Sequence, residues 1–71
     1  MKTEKFLVPA VSCQHCVRAV TTEVSKVAGV SAVQVDLTSK VVTVEAGDAV
    51  ASATIVAAIQ EAGYDEVAAV V

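Results

Sequence analysis

From Lys5 to Ala10 the chain alternates, with Phe6, Val8 and Ala10 on one side and Lys5, Leu7 and Pro9 on the other. This predicts a first β-strand. Pro9 has no N–H for a ladder and marks where pairing ends on one side. From Cys16 the period lengthens. Val17, Val20, Val24 and Val27 recur at spacings of three and four, with Arg18, Thr21, Thr22, Ser25 and Lys26 on the other faces. That is an amphipathic helix. Gly29 suits the left-handed position just past its end, with Val30 folding back as the apolar contact of the stop.

The stretch "SAVQVDL" again has a period of two, with Val33, Val35 and Leu37 against Gln34 and Asp36. "TSK" turns the chain, and "VVTVEA" sets Val42, Val44 and Ala46 against Val41, Thr43 and Glu45, so the two runs read as an antiparallel hairpin. After "GD" a second helix follows, with Ala51, Ile55, Ala58, Ile59 and Ala62 on one face. Asp48 and Ser52 are the two candidates for its cap, and Gly63 ends it. "EVAAVV" closes the chain as a short strand.

The order is β-α-β-β-α-β. Right-handed crossovers put both helices on one face of a four-stranded antiparallel sheet, a ferredoxin-like α+β arrangement. On the opposite face Leu7, Val41 and either Ala68 or Val70 would meet solvent. That is ordinary scattered exposure or a weak self-association or partner face.

Seventy-one residues allow one small core, so a single domain spanning residues 1–71 is expected, compact from about residue 3. Five basic and eight acidic side chains give a net charge of −3, and the basic residues are dispersed. Aromatics are Phe6 and Tyr64 alone. A nucleic-acid surface needs a basic patch and stacking aromatics, and a membrane-surface helix needs a basic face with aromatic anchors, so neither partner is expected. The apolar run "FLVPAV" is too short for a signal-peptide core, and no run approaches a bilayer span. With Met1 ahead of it, the expected location is the cytoplasm.

That location matters for the two cysteines, Cys13 and Cys16, because a lasting disulfide is disfavoured there and a C-x-x-C pair is metal-binding or redox-active instead. Cys13 falls in the loop and Cys16 in the first turn of the helix. Exposed amides and the positive helix end favour thiolate at that place, and Arg18 adds a nearby positive charge. A closed zinc site needs four ligands. Only His15 could join the pair, and its intervening position aims it away. A thioredoxin-like redox centre would come with a longer chain and a mixed sheet. Two inert core cysteines do not suit the polar flanks Ser12, Gln14 and His15. A soft monovalent ion held by two thiolates fits best, since thiolates select Cu(I) and an open coordination sphere permits handing the ion to another dithiol.

The "VSCQHC" loop and the terminal "EAGYD", set in this order of elements, resemble the heavy-metal-associated domain family. The stretch "SCQHCVRAV" is similar to its short CopZ-type bacterial copper chaperones. The resemblance spans about Glu4 to Val67 and implies Cu(I) as the metal, with Cys13 and Cys16 as ligands. It implies transfer to or from a copper-transporting P-type ATPase metal-binding domain or a copper-responsive regulator. It also implies that Tyr64 and His15 stand beside the site as tuning residues. Relatives usually carry Gly-Met where this chain has Ala10 and Val11, the Met serving as packing under the loop. Ser12 is neutral where zinc- and cadmium-preferring relatives often place an acid, which leans towards copper. Arg18 and Lys26 could supply a positive docking face. The chain is expected to be a monomer, or a dimer bridged by copper, and not an enzyme. The alternatives are a mercury, zinc or cadmium carrier, a regulatory metal-binding module, and a thiol-disulfide oxidoreductase.

Overall fold

A computed structural model describes residues 2–70. The elements run β1 (Lys2–Leu7), α1 (Gln14–Ser25), β2 (Val30–Asp36), β3 (Val41–Ala46), α2 (Ser52–Glu61) and β4 (Ala68–Val70). The four strands form one sheet in the order β2-β3-β1-β4, and every neighbouring pair is antiparallel. The expected ferredoxin-like α+β architecture is what forms.

The period-two runs decide which face is covered. Phe6, Val42, Val44 and Ala46 are fully or almost fully buried, and they meet Val20 and Val24 of α1 and Ile55 and Ile59 of α2. Valine is a poor helix former, so α1 owes its stability to this packing rather than to propensity. Each of the buried Phe, Val and Ile side chains contributes about 1.5–3 kcal/mol relative to exposure.

Several local expectations shift. β1 begins at Lys2 and ends at Leu7, short of the expected Ala10. Val8 is buried beyond the strand and its N–H still reaches the Lys40 carbonyl at 2.8 Å. Then Pro9, lacking a donor, releases the chain. A turn closed by Val11 N–H on the Val8 carbonyl, 3.2 Å, sends Ala10 outward and drives Val11 into the core. α1 stops at Ser25 with Lys26 as its cap, so Gly29 is not its left-handed terminus. Gly29 (φ +94°) is instead the third residue of a turn in which Val30 N–H bonds the Val27 carbonyl, the position where a type II turn requires positive φ. Gly63 (φ +104°) does follow the α2 cap directly, as expected. The α2 cap is neither Asp48 nor Ser52 but Ala51, in extended conformation. Ser52 lies one residue inside the helix, and its hydroxyl donates to the Glu4 carboxylate. The expected last strand over 66–71 is formed by Ala68–Val70, Val71 lying outside the described residues.

The register places the loops. Leu7 pairs with both Val41 and Ala68. The loop 8–13, the β2–β3 turn and the segment leading into β4 therefore share one end of the sheet.

The two positive-φ glycines should differ in cost. At Gly29 an added Cβ would lie 2.6 Å from a Val50 methyl, whereas at Gly63 it would meet nothing within 4 Å. Gly29→Ala should lose about 2–3 kcal/mol in urea unfolding, and Gly63→Ala about 1 kcal/mol from the backbone alone. Equal losses would show that the Val50 contact yields.

Candidate metal site

α1 starts at Cys13. Its backbone is extended (φ −155°, ψ 174°), and its carbonyl accepts the N–H groups of Cys16 at 3.0 Å and Val17 at 3.2 Å. Cys13 is thus the residue that caps the helix, and Cys16 is the third residue of the first turn. In many helices a serine or threonine at the first place faces the third residue across the same spacing. Here the two side chains are thiols, and their Sγ atoms stand 3.7 Å apart. Both are unbridged, Cys13 exposed and Cys16 half-buried. The amides of Gln14 and His15, in the first turn, have no acceptor within the helix and add to its positive end.

The electrostatics are asymmetric. The Cys16 thiol is lowered from an ordinary 9.0 to about 6. Its largest cause is a hydrogen bond with the Tyr64 phenol, followed by one with the Ser12 backbone. Burial works the other way, and Cys13 adds smaller favourable contacts through its thiol and backbone. Reciprocally, Tyr64 is pushed up from 10.0 to about 12, first by the bond with Cys16 and then by burial and the sulfur charges. At neutral pH, Cys16 is therefore a thiolate and Tyr64 a phenol donating to it. The Arg18 guanidinium, expected from sequence to help, is not among the causes.

Of the residues singled out from sequence, the structure brings together Cys13, Cys16, the Ser12 backbone and Tyr64. Tyr64 reaches the sulfurs because the left-handed turn at Gly63 ends α2 at the same end of the sheet, and its ring also packs against the core. His15 is exposed, lining a shallow groove between α1 and α2 with Arg18, Thr22, Glu23 and Glu61. Among the described residues no set of three His, Cys, Asp or Glu side chains is placed to hold a metal. Arg18 lies near the sulfur end of α1. Lys26 lies at its far end, about 15 Å along the axis, in an ion pair with Glu23 at 3.3 Å.

Sequence reasoning missed what ties the loop down from the neighbouring turn. Val8 and Val11 are both fully buried, and the Lys40 carbonyl tethers Val8 from the β2–β3 turn. That turn is built on Asp36, whose Oδ1 accepts the N–H groups of Thr38 at 2.8 Å and Ser39 at 3.3 Å, leaving Lys40 left-handed (φ 62°). The Asp-Leu-Thr-Ser run is the signal that could have shown it.

Residues 5–65 match the sequence profile of the heavy-metal-associated domain. The chain belongs to the heavy-metal-associated domain family. It is 44% identical over 66 residues to the copper chaperone CopZ of Bacillus subtilis (strain 168), covering 92% of this chain and 96% of that one. Among solved structures it is similar to a CopZ metallochaperone, with a TM-score of 0.87 and 33% identity over 97% of this chain and 100% of that one. It is also similar to the copper(I)-loaded first domain of the human copper chaperone for SOD1, with a TM-score of 0.80 and 31% identity over 94% and 89% of the two chains. The family assignment agrees with the resemblance read from "VSCQHC" and "EAGYD".

Tyr64→Phe removes the donor and nothing else. The Cys16 thiol should then titrate about one pH unit or more above the parent, read from thiolate ultraviolet absorbance. The sign for stability follows. A lowered thiol favours the folded chain above the ordinary thiol range, and that contribution is lost as pH falls through about 6. An unshifted titration in the variant would mean that the Ser12 amide and the helix end suffice.

Proposed function

We propose that this chain is a cytoplasmic copper carrier. It binds one Cu(I) through Cys13 and Cys16 and passes it by ligand exchange to or from a copper-transporting P-type ATPase metal-binding domain or a copper-responsive regulator. The observation that carries the reading is the pair of free thiols 3.7 Å apart at an exposed helix start, with no third His, Cys, Asp or Glu side chain among the described residues placed to close the site. Two thiolates satisfy Cu(I), which accepts low coordination, and would leave zinc short of its usual four ligands. The copper-chaperone relative of 44% identity and the copper(I)-loaded relative support the same metal. Among the described residues no helix is long and apolar enough to cross a membrane.

The asymmetry of the pair suggests an order of exchange. An incoming cysteine thiolate adds to the ion and forms a third copper–sulfur bond. The bond to Cys13 breaks next, because its sulfur is the more exposed and that of Cys16 is held by Tyr64. Cys13 leaves with the electron pair of its bond, the incoming sulfur having supplied the pair of the new one, and copper stays in the +1 state throughout. The chain is a carrier in this scheme, with no bond in the cargo made or broken catalytically.

Competition against a chromophoric Cu(I) chelator tests it. Cys13→Ser and Cys16→Ser should each lose more affinity than the roughly 10–100-fold typical of removing a partner outside the metal's own ligands. Parent affinity should weaken as pH falls through about 6, because protons then compete for the Cys16 sulfur. Unchanged affinity in both variants would sink the proposal. Metal analysis after growth in mixed metals separates copper from mercury, zinc or cadmium. Turnover of a dithiol substrate by metal-free protein would favour an oxidoreductase instead.

A further inference from the structure

The sheet has one face covered by helices and one face open. On the open face, strand register aligns Asp36, Val41, Leu7 and Ala68 in one row across the four strands, and Gln34, Thr43, Lys5 and Val70 in the next. The side chains between them, Val35, Val42 and Phe6, point the other way into the core. Among the described residues the exposed large apolar side chains are Leu7 (37%) and Val70 (41%), and both stand on this one face. Apolar exposure is therefore concentrated in one patch, around a row that also holds half-buried Val41 and exposed Ala68.

The charges around the patch are placed asymmetrically. Lys5 lies on β1 in the second row, and Asp36 lies on β2 at the end of the first. The Asp36 carboxylate is held there by its bonds from Thr38 and Ser39. Strands sit about 4.8 Å apart and same-face residues about 6.8 Å apart along a strand. On that grid the midpoint between Lys5 and Asp36 and the midpoint between Leu7 and Val41 define one oblique line in the sheet. A two-fold axis parallel to that line, lying between two facing sheets, brings Lys5 over the second copy's aspartate and Leu7 beside its valine, about 3 Å to one side, and does the same in reverse.

We propose that this open face is a self-association surface, on which a second copy of the chain seats Leu7 against Val41 with Lys5 and Asp36 paired across the two-fold. Such an interface is isologous and closed, so it stops at a dimer. The face measures on the order of 300–400 Å² per copy, and the total falls below the roughly 1,200 Å² of a stable complex, so the pair is weak and reversible. Both helices, with Cys13 and Cys16 at the head of α1, lie on the far side of the sheet. Pairing thus needs no copper and differs from a dimer bridged through the sulfurs.

Sedimentation equilibrium of the metal-free, reduced protein in low salt, from about 10 μM to about 1 mM, reads this directly. The weight-average mass should climb towards the dimer at the top of the series, and equally so in the Cys13→Ser/Cys16→Ser double variant. Leu7→Gln, at an exposed position, should restore the monomer mass throughout. Lys5→Gln and Asp36→Asn, the latter keeping its turn-capping oxygen, should each weaken pairing about twofold to fivefold. Their double variant should lose no more than either alone, as a direct pair requires. A monomer mass at every concentration would overturn the proposal. So would association that vanishes with the cysteines, a neutral Leu7→Gln, or additive losses for Lys5 and Asp36.

Discussion

Val8 and Val11 lie three residues apart, fully buried, on either side of the exposed Pro9–Ala10 tip. Their burial holds the loop down against the core, while the Lys40 carbonyl fixes the Val8 amide from the neighbouring turn. Two residues after Val11 the chain must start a helix. Cys13 is set at its cap, and the helical rise then places Cys16 opposite it. The sulfur separation, the amides of the first turn and the approach of Tyr64 all presuppose that anchor. Ala10 and Val11 stand where the resemblance implied Gly-Met, and the structure gives these residues a physical sense. The buried position keeps an apolar side chain, and the position facing solvent keeps a small one. A β-branched valine has fewer rotamers than methionine, so the anchor is stiffer.

The site combines a closed core with an open pair of sulfurs. Below the loop the packing side chains are apolar, and among the described residues no polar or charged residue is buried. Above it, two sulfurs face outward with one phenol behind them. The phenol and the thiolate are coupled, since the bond that does most to lower Cys16 is the same bond that does most to raise Tyr64. A hydrogen bond to the ionised form stabilises a thiolate without adding a charge that would repel an incoming cation. An Arg18 guanidinium in that place would have lowered the thiol too, but at the cost of a positive charge beside the sulfurs.

Much of this was legible because periodicity is a direct imprint of burial. The alternation in "VVTVEA" and the threes and fours of Val20, Val24, Ile55 and Ile59 gave the strands, the helices and the faces they present. The errors fall where local signals compete. Val8 keeps the strand's burial after the strand has ended, which made β1 look longer at its C-terminal end. Gly29 has a positive φ for a turn after α1 rather than for the end of α1. Asp48 and Ser52 are favoured capping residues, yet Ala51 holds the capping position and Ser52 bonds Glu4 across 48 residues of sequence. No local rule ranks such a contact.

By itself the sequence determined the order of elements, the covered face of the sheet, and the cysteine pair at a helix start, because each depends on residues within one or two turns of one another. Tertiary structure alone decided which groups set the acidity of Cys16, and the register that lines up Asp36, Val41, Leu7 and Ala68 in one row across the open face. Those depend on strand register and on loops meeting at one end of the sheet. Neither is encoded in the spacing of neighbouring residues, and both follow only when the whole core closes.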